Sequence, residues 1–78
     1  MEVWVLEVYY PEEGASDITG VFENPDVGMN IITEKYPYIK WTEYKTYWSS
    51  DKVNDTVYYL YKFEVVLDEV PNEGVINE

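Results

Sequence analysis

Residues 56–70 (TVYYLYKFEVVLDEV) carry a period of two that the rest of the chain has to accommodate. The odd positions Val57, Tyr59, Tyr61, Phe63, Val65 and Leu67 are all apolar or aromatic. The even positions Tyr58, Leu60, Lys62, Glu64, Val66 and Asp68 are mixed. Successive side chains of a strand point to opposite faces, so the alternation predicts one long central strand. A helix would scatter the six odd residues round its circumference.

The other elements are read by the same local chemistry. Residues 2–10 (EVWVLEVYY) form a first strand, with Trp4, Leu6 and Val8 on one face and Val3, Val5, Glu7 and Tyr9 on the other. Pro11-Glu12-Glu13-Gly14 is a turn, because Pro presets the bend and Gly accepts positive φ. Residues 16–23 (SDITGVFE) make a shorter strand in which Gly20 marks a bulge or a close backbone approach. Asn24-Pro25-Asp26 is a helix start: Asn is a favoured N-cap, Pro suits the first helical position, and the acids complement the dipole. That helix is expected to run to about Lys35, with Val27, Ile31 and Met29 or Ile32 on the sheet, and to stop at Tyr36-Pro37. Gly28 and Thr33 lower its propensity, so packing has to hold it.

Residues 40–48 (KWTEYKTYW) read as a third strand and residues 49–55 (SSDKVND) as a polar loop. The expected fold is therefore α+β: an antiparallel sheet of about four strands in the order β-β-α-β-β, with one short helix on one face. Residues 1–70 form a single domain on this reading, and residues 71–78 (PNEGVINE) a flexible acidic tail. At 78 residues the core is marginal in size, and nine Tyr, three Trp and two Phe supply much of its buried area.

Residue types that are missing exclude whole chemistries. The chain has no His and no Cys, so Ser-His-Asp and Cys-His catalysis, disulfides and Cys/His zinc sites are ruled out. It has no Arg, hence no arginine finger, and Gly14, Gly20, Gly28 and Gly74 make neither a GxGxxG nor a P-loop. Carboxylates are plentiful, but paired acid catalysis needs a cleft that a one-helix domain hardly provides. Glu12-Glu13 with Asp17, and Asp51 with Asn54 and Asp55, lack the alternating acids and central Gly of an EF-hand loop. They read as solvated turns. No catalytic residue, cofactor or metal is expected.

The net charge of −11 is unevenly spread. Residues 1–34 hold eight acids and no base, residues 35–62 all five Lys with three acids, and residues 63–78 five acids and no base. Such a chain repels phosphate, so direct nucleic-acid binding is not expected. It steers instead toward basic proteins. The candidate contacts are Glu12, Glu13, Asp17, Glu23 and Asp26 beside the first hairpin and helix start, and Glu64, Asp68 and Glu69 at the far end of the central strand. Placed on a rigid sheet, they would imitate the negative lattice of a nucleic acid and occupy the basic surface of a nucleic-acid-handling or defence protein. The plainer alternative is that the acidity serves solubility alone.

One helix leaves the other sheet face open. That face is expected to carry Val3, Val5, Tyr9, Trp41, Tyr47, Tyr58, Leu60 and Val66, too apolar a set to remain in water. Trp41, Tyr47, Tyr58 and Leu60 would then form an oligomer face, with a homodimer as the simplest partner and a structural or assembly module as the alternative function. Glu2 precedes the first apolar run and no run approaches the roughly 20 residues of a membrane span, so the expected location is cytoplasmic, without membrane contact.

V-W-V-L-E, then an acidic Gly-containing turn and T-G-V-F-E-N, resembles a group of small bacterial and phage domains of uncharacterised function. In them a V-x-V-L-E strand pairs with a G-V-F/Y strand that leads into a helix. The resemblance covers the first third of the chain and implies the β-β-α opening; it brings no activity. In type, being small, acidic and without catalytic residues, the chain is similar to phage-encoded inhibitors of host defence, the anti-restriction and anti-CRISPR proteins. This implies action in the host cytoplasm and fixes no residue.

Overall fold

A computed structural model of the chain describes residues 1–65. Within them the fold is α+β: an antiparallel five-stranded sheet with one helix, in the order β-β-α-β-β-β. Strand β1 spans Glu2–Tyr10, β2 Ala15–Phe22, helix α1 Pro25–Lys35, β3 Trp41–Glu43, β4 Tyr47–Ser50 and β5 Val57–Glu64. The spatial order is β2-β1-β5-β4-β3, which puts β1 and β5 side by side near the centre. The expected continuation of the central strand beyond Val65, with Val66, Leu67, Asp68 and Glu69, and the expected tail over 71–78 lie outside the described residues.

The first hairpin follows its sequence signals. Gly14 adopts φ +64 and, with Glu13, donates its N–H to the Tyr10 carbonyl, at 2.9 and 3.1 Å. Farther along, the register moves from Leu6↔Gly20 to Glu7↔Ile18, which leaves Thr19 as the extra residue of a bulge beside Gly20. The Thr19 hydroxyl donates to the Leu6 carbonyl at 3.3 Å.

Asn24 caps α1 as its sequence predicts, its Oδ1 accepting from the Asp26 N–H at 2.8 Å. The face that α1 turns to the sheet differs from the expected one. Gly28 and Ile32 are buried and Met29 packs on the core, whereas Val27 and Ile31 are each 49 % exposed. The cause is Gly28. A Cβ there would stand 3.0 Å from Leu60 Cδ2 and 3.2 Å from Phe22, so the missing side chain lets the helix backbone approach the sheet. The same glycine that weakens the helix locally thus fixes which way it faces.

The expected strand over 40–48 is two strands, β3 and β4, joined through Tyr44, Lys45 and Thr46. The Tyr44 N–H donates to the Tyr47 carbonyl at 2.8 Å, and the two rings stack with centroids 4.7 Å apart. Asp51 closes the open end, accepting from the Lys40 N–H at 3.0 Å and donating its own N–H to the Lys40 carbonyl at 2.9 Å. The expected polar loop 49–55 is shorter than predicted. Ser49 and Ser50 belong to β4, and Val53 bridges Thr56 around Asn54 (φ 51) and Asp55 (φ 61). Positive φ at both central residues is the I′ geometry that suits a tight hairpin.

The core lies between α1 and one sheet face. Leu6, Val8, Tyr58, Leu60, Ile32 and Ile39 form its centre, flanked by Trp4, Phe22, Tyr36 and Trp48. Ser50 is buried among them because the Tyr58 N–H needs an acceptor, and the Ser50 hydroxyl oxygen supplies it at 2.9 Å.

Candidate partner-binding surface

Strand register decides which side chains share a face, since cross-strand partners project the same way. Glu7 lies opposite Tyr59 and Ile18, Val5 opposite Tyr61 and Val21, and Val3 opposite Phe63. Tyr47 lies opposite Tyr61 on the other flank of β5. These residues, with Tyr9, cover the sheet face turned away from α1, and none of them is buried.

The expected open face therefore needs correction. Val3, Val5, Tyr9 and Tyr47 do lie on it. Tyr58 and Leu60 do not: they are 8 % and 0 % exposed, beneath α1. Trp41 also faces the helix, its indole N–H donating to the Thr33 hydroxyl at 3.3 Å. Of the four oligomer-face candidates only Tyr47 is available. β5 alternates as its sequence predicts, but the helix covers Tyr58 and Leu60 and leaves Tyr59 and Tyr61 on the open face.

The open face is dominated by tyrosine. Tyr47 sits between Tyr61 and Tyr59, with ring centroids 5.3 and 6.3 Å away; Tyr59 lies 5.7 Å from Tyr61 and 6.4 Å from Tyr9. Tyr9, Tyr47, Tyr59 and Tyr61 line an open hollow of about 390 Å³, completed by Glu7 and Ser16. The Tyr61 hydroxyl is pushed above its ordinary range by burial, and next by the negative charge of Glu7. Ile18, Val21 and Phe63, at 61, 59 and 53 % exposure, extend the face as an apolar margin.

The acids of the first hairpin and helix start are all exposed. None of Glu12, Glu13, Asp17, Glu23 and Asp26 forms an ion pair among the described residues. They do not make one cluster. Glu12, Glu13 and Asp17 lie at the turn end of β2 and Glu23 and Asp26 at its other end, some 20 Å away over six residues at about 3.3 Å each. Both groups follow the β2 edge of the sheet. Glu64 stands apart, paired with the Met1 ammonium at 2.9 Å, and Asp68 and Glu69 lie outside the described residues. Lys40, Lys45 and Lys52 fall on the β3–β4 side, where Lys52 meets Asp55 at 3.8 Å.

Two further hollows flank the helix. One of about 350 Å³, between α1 and the first hairpin, is lined by Leu6, Phe22 and Ile31 among others and has no carboxylate on its wall. The other, of about 380 Å³ beside residues 35–39, has Asp51 alone. Among the described residues no group of three or more acids could hold a metal ion, and no helix is long and apolar enough to cross a membrane. Asp51 accepts from the Lys40 N–H at 3.0 Å, and Asp55 meets the Lys52 ammonium at 3.8 Å. Compared with known proteins, the chain matches no family model, no curated protein and no solved structure.

Proposed function

We propose that the chain is a non-enzymatic acidic binding protein of the phage-encoded inhibitor type. On this reading it occupies the basic surface of a nucleic-acid-handling or host-defence protein. The observation that carries the proposal is the uneven charge across the sheet: five exposed acids along the β2 edge, unpaired among the described residues and with no lysine beside them in the chain, against a β3–β4 side where Lys40, Lys45 and Lys52 offset Glu43, Asp51 and Asp55. A field of one sign along one edge steers a basic partner and orients it on arrival. A binding role is also favoured by the hollows, each with at most one carboxylate where acid–base hydrolysis needs two.

The test is capture of a host protein from nuclease-treated extract, followed by competition with duplex DNA. The proposal expects a basic protein that is released by DNA and by raised salt, and that the E12K/E13K/D17K variant fails to retain. Retention equal in the variant, or indifferent to DNA and salt, overturns it. The apolar margin of the open face favours a second reading, a homodimer in which one copy covers the face of the other, in a structural or assembly role. Light scattering that shows a monomer at micromolar concentration removes that reading.

A further inference from the structure

Glu7 is the anomaly of the open face. It projects between apolar and aromatic neighbours, is half-buried, and joins no ion pair among the described residues. A partly covered carboxylate without a partner is open to a cation, whose charge offsets the hydration the pair gives up on contact. Around it stand four tyrosine rings from three strands, whose electron-rich faces attract cations within about 6 Å of the ring centre. The planes matter as well. Tyr61 is inclined by only 26° to Tyr59 and 30° to Tyr47, while Tyr59 is tilted by 55° to Tyr47 and 56° to Tyr9, and the hollow they line is open, so the rings make a tilted platform and not a closed box. A box suits a quaternary ammonium group. A platform with one carboxylate at its side suits a flat cation that can stack and donate two parallel hydrogen bonds at once, which is the geometry of guanidinium. A lysine ammonium, strongly hydrated and without a plane, gains less there.

We propose that the hollow formed by Tyr9, Tyr47, Tyr59 and Tyr61, with Glu7 on its wall, receives an arginine side chain of the partner protein. This rests on the reading that the partner is basic and adds which residue of it is gripped. The acidic β2 edge steers, and the tyrosine hollow holds. Because β2 pairs directly with β1, the two surfaces adjoin and one partner can span both.

The test needs no partner. The full chain is titrated with acetyl-Gly-Arg-Gly-amide at constant ionic strength, and in parallel with the Lys peptide and with tetramethylammonium chloride, while the tyrosine ring resonances are followed by NMR. The expected result is saturable movement of the Tyr9, Tyr47, Tyr59 and Tyr61 rings with the Arg peptide, at several-fold lower concentration than with the Lys peptide. Glu7→Gln is expected to weaken the Arg peptide by on the order of tenfold, as loss of a charge-assisted hydrogen bond does. It should leave the fold intact, because it relieves an unpaired charge. Equal response to Arg and Lys, tighter binding of tetramethylammonium, or an unaltered affinity in Glu7→Gln overturns the assignment. E23K/D26K, at the end of β2 remote from Ser16, should bind the Arg peptide within about twofold of the unaltered chain, since charges a Debye length or more away are screened. Failure of the hollow and failure of the acidic edge are thereby separate results.

Discussion

On β5, Tyr58 and Tyr59 are adjacent, chemically identical, and placed in opposite surroundings. Tyr58 is 8 % exposed beneath α1, against Val8 across the strand and with the Tyr36 ring 6.3 Å away. Tyr59 stands on the open face among Tyr9, Tyr47 and Tyr61. The helix side is closed by aliphatic residues of β1, α1 and β5 and by Ile39 after the helix, with Leu60 at 0 % exposure and Gly28 drawing the helix down onto it. The other side is closed by nothing among the described residues and is built of side chains that tolerate water at one end. One face of a single sheet makes the core, and among the described residues its reverse stays open.

The largest effect expected from this contrast is Leu60→Ala. Truncating a fully enclosed Leu costs about 3–4 kcal/mol, through lost transfer energy and the cavity that remains. A domain of this size has roughly 4–12 kcal/mol in all, so the variant should lose at least about a quarter of its stability. Tyr59→Ala removes a larger side chain and should cost only about 1 kcal/mol, the scale of its ring–ring contacts. Urea denaturation of both variants measures the difference. If Tyr59→Ala proves as damaging as Leu60→Ala, the open face belongs to the core and the distinction fails.

What could be read from the sequence follows from how local each signal is. The Gly14 turn, the Asn24 cap and the alternation in β1 and β5 need only neighbouring residues, and each is where the sequence places it. Which face of β5 the helix covers is not local. The odd set Val57, Tyr59, Tyr61 and Phe63 is the more uniformly apolar, yet the even set is covered, because register sets Leu60 beside Leu6 and Tyr58 beside Val8. The split of residues 40–48 was hidden because Tyr44-Lys45-Thr46 contains no Gly, Pro or Asn. The turn at Asn54-Asp55 carries a signal, two residues that tolerate positive φ, but the polar composition of residues 49–55 alone does not distinguish a tight turn from an open loop. The tyrosine hollow draws on β1, β2, β4 and β5, so no stretch of sequence displays it. Glu7, the one charge on a strand face with Val3, Val5 and Tyr9, gains its meaning only when the register sets the tyrosines beside it.

The smallest effect expected is a pH dependence that separates the two faces. Both Tyr58 and Tyr61 are raised above the ordinary tyrosine value near 10, each first by burial. For Tyr58 the further causes are Tyr36 and Tyr10; for Tyr61 they are the charge of Glu7, then Tyr59 and Tyr47. A raised value means that folding favours the neutral phenol. The stability this contributes is complete below the unfolded value, and it is lost as pH climbs through the folded ones. Stability should therefore decline in the alkaline range above 10 and remain level, on this account, below it. Tyr58→Phe and Tyr61→Phe should each remove part of the decline. Glu7→Gln should lower the Tyr61 titration toward its ordinary value and leave that of Tyr58 in place, because its charge is a cause for the first and not for the second. Ring resonances followed through the alkaline range read both titrations separately. A Glu7→Gln variant that moves the two tyrosines together would mean that the sheet does not insulate its faces electrostatically, and one that moves neither would remove Glu7 from the hollow.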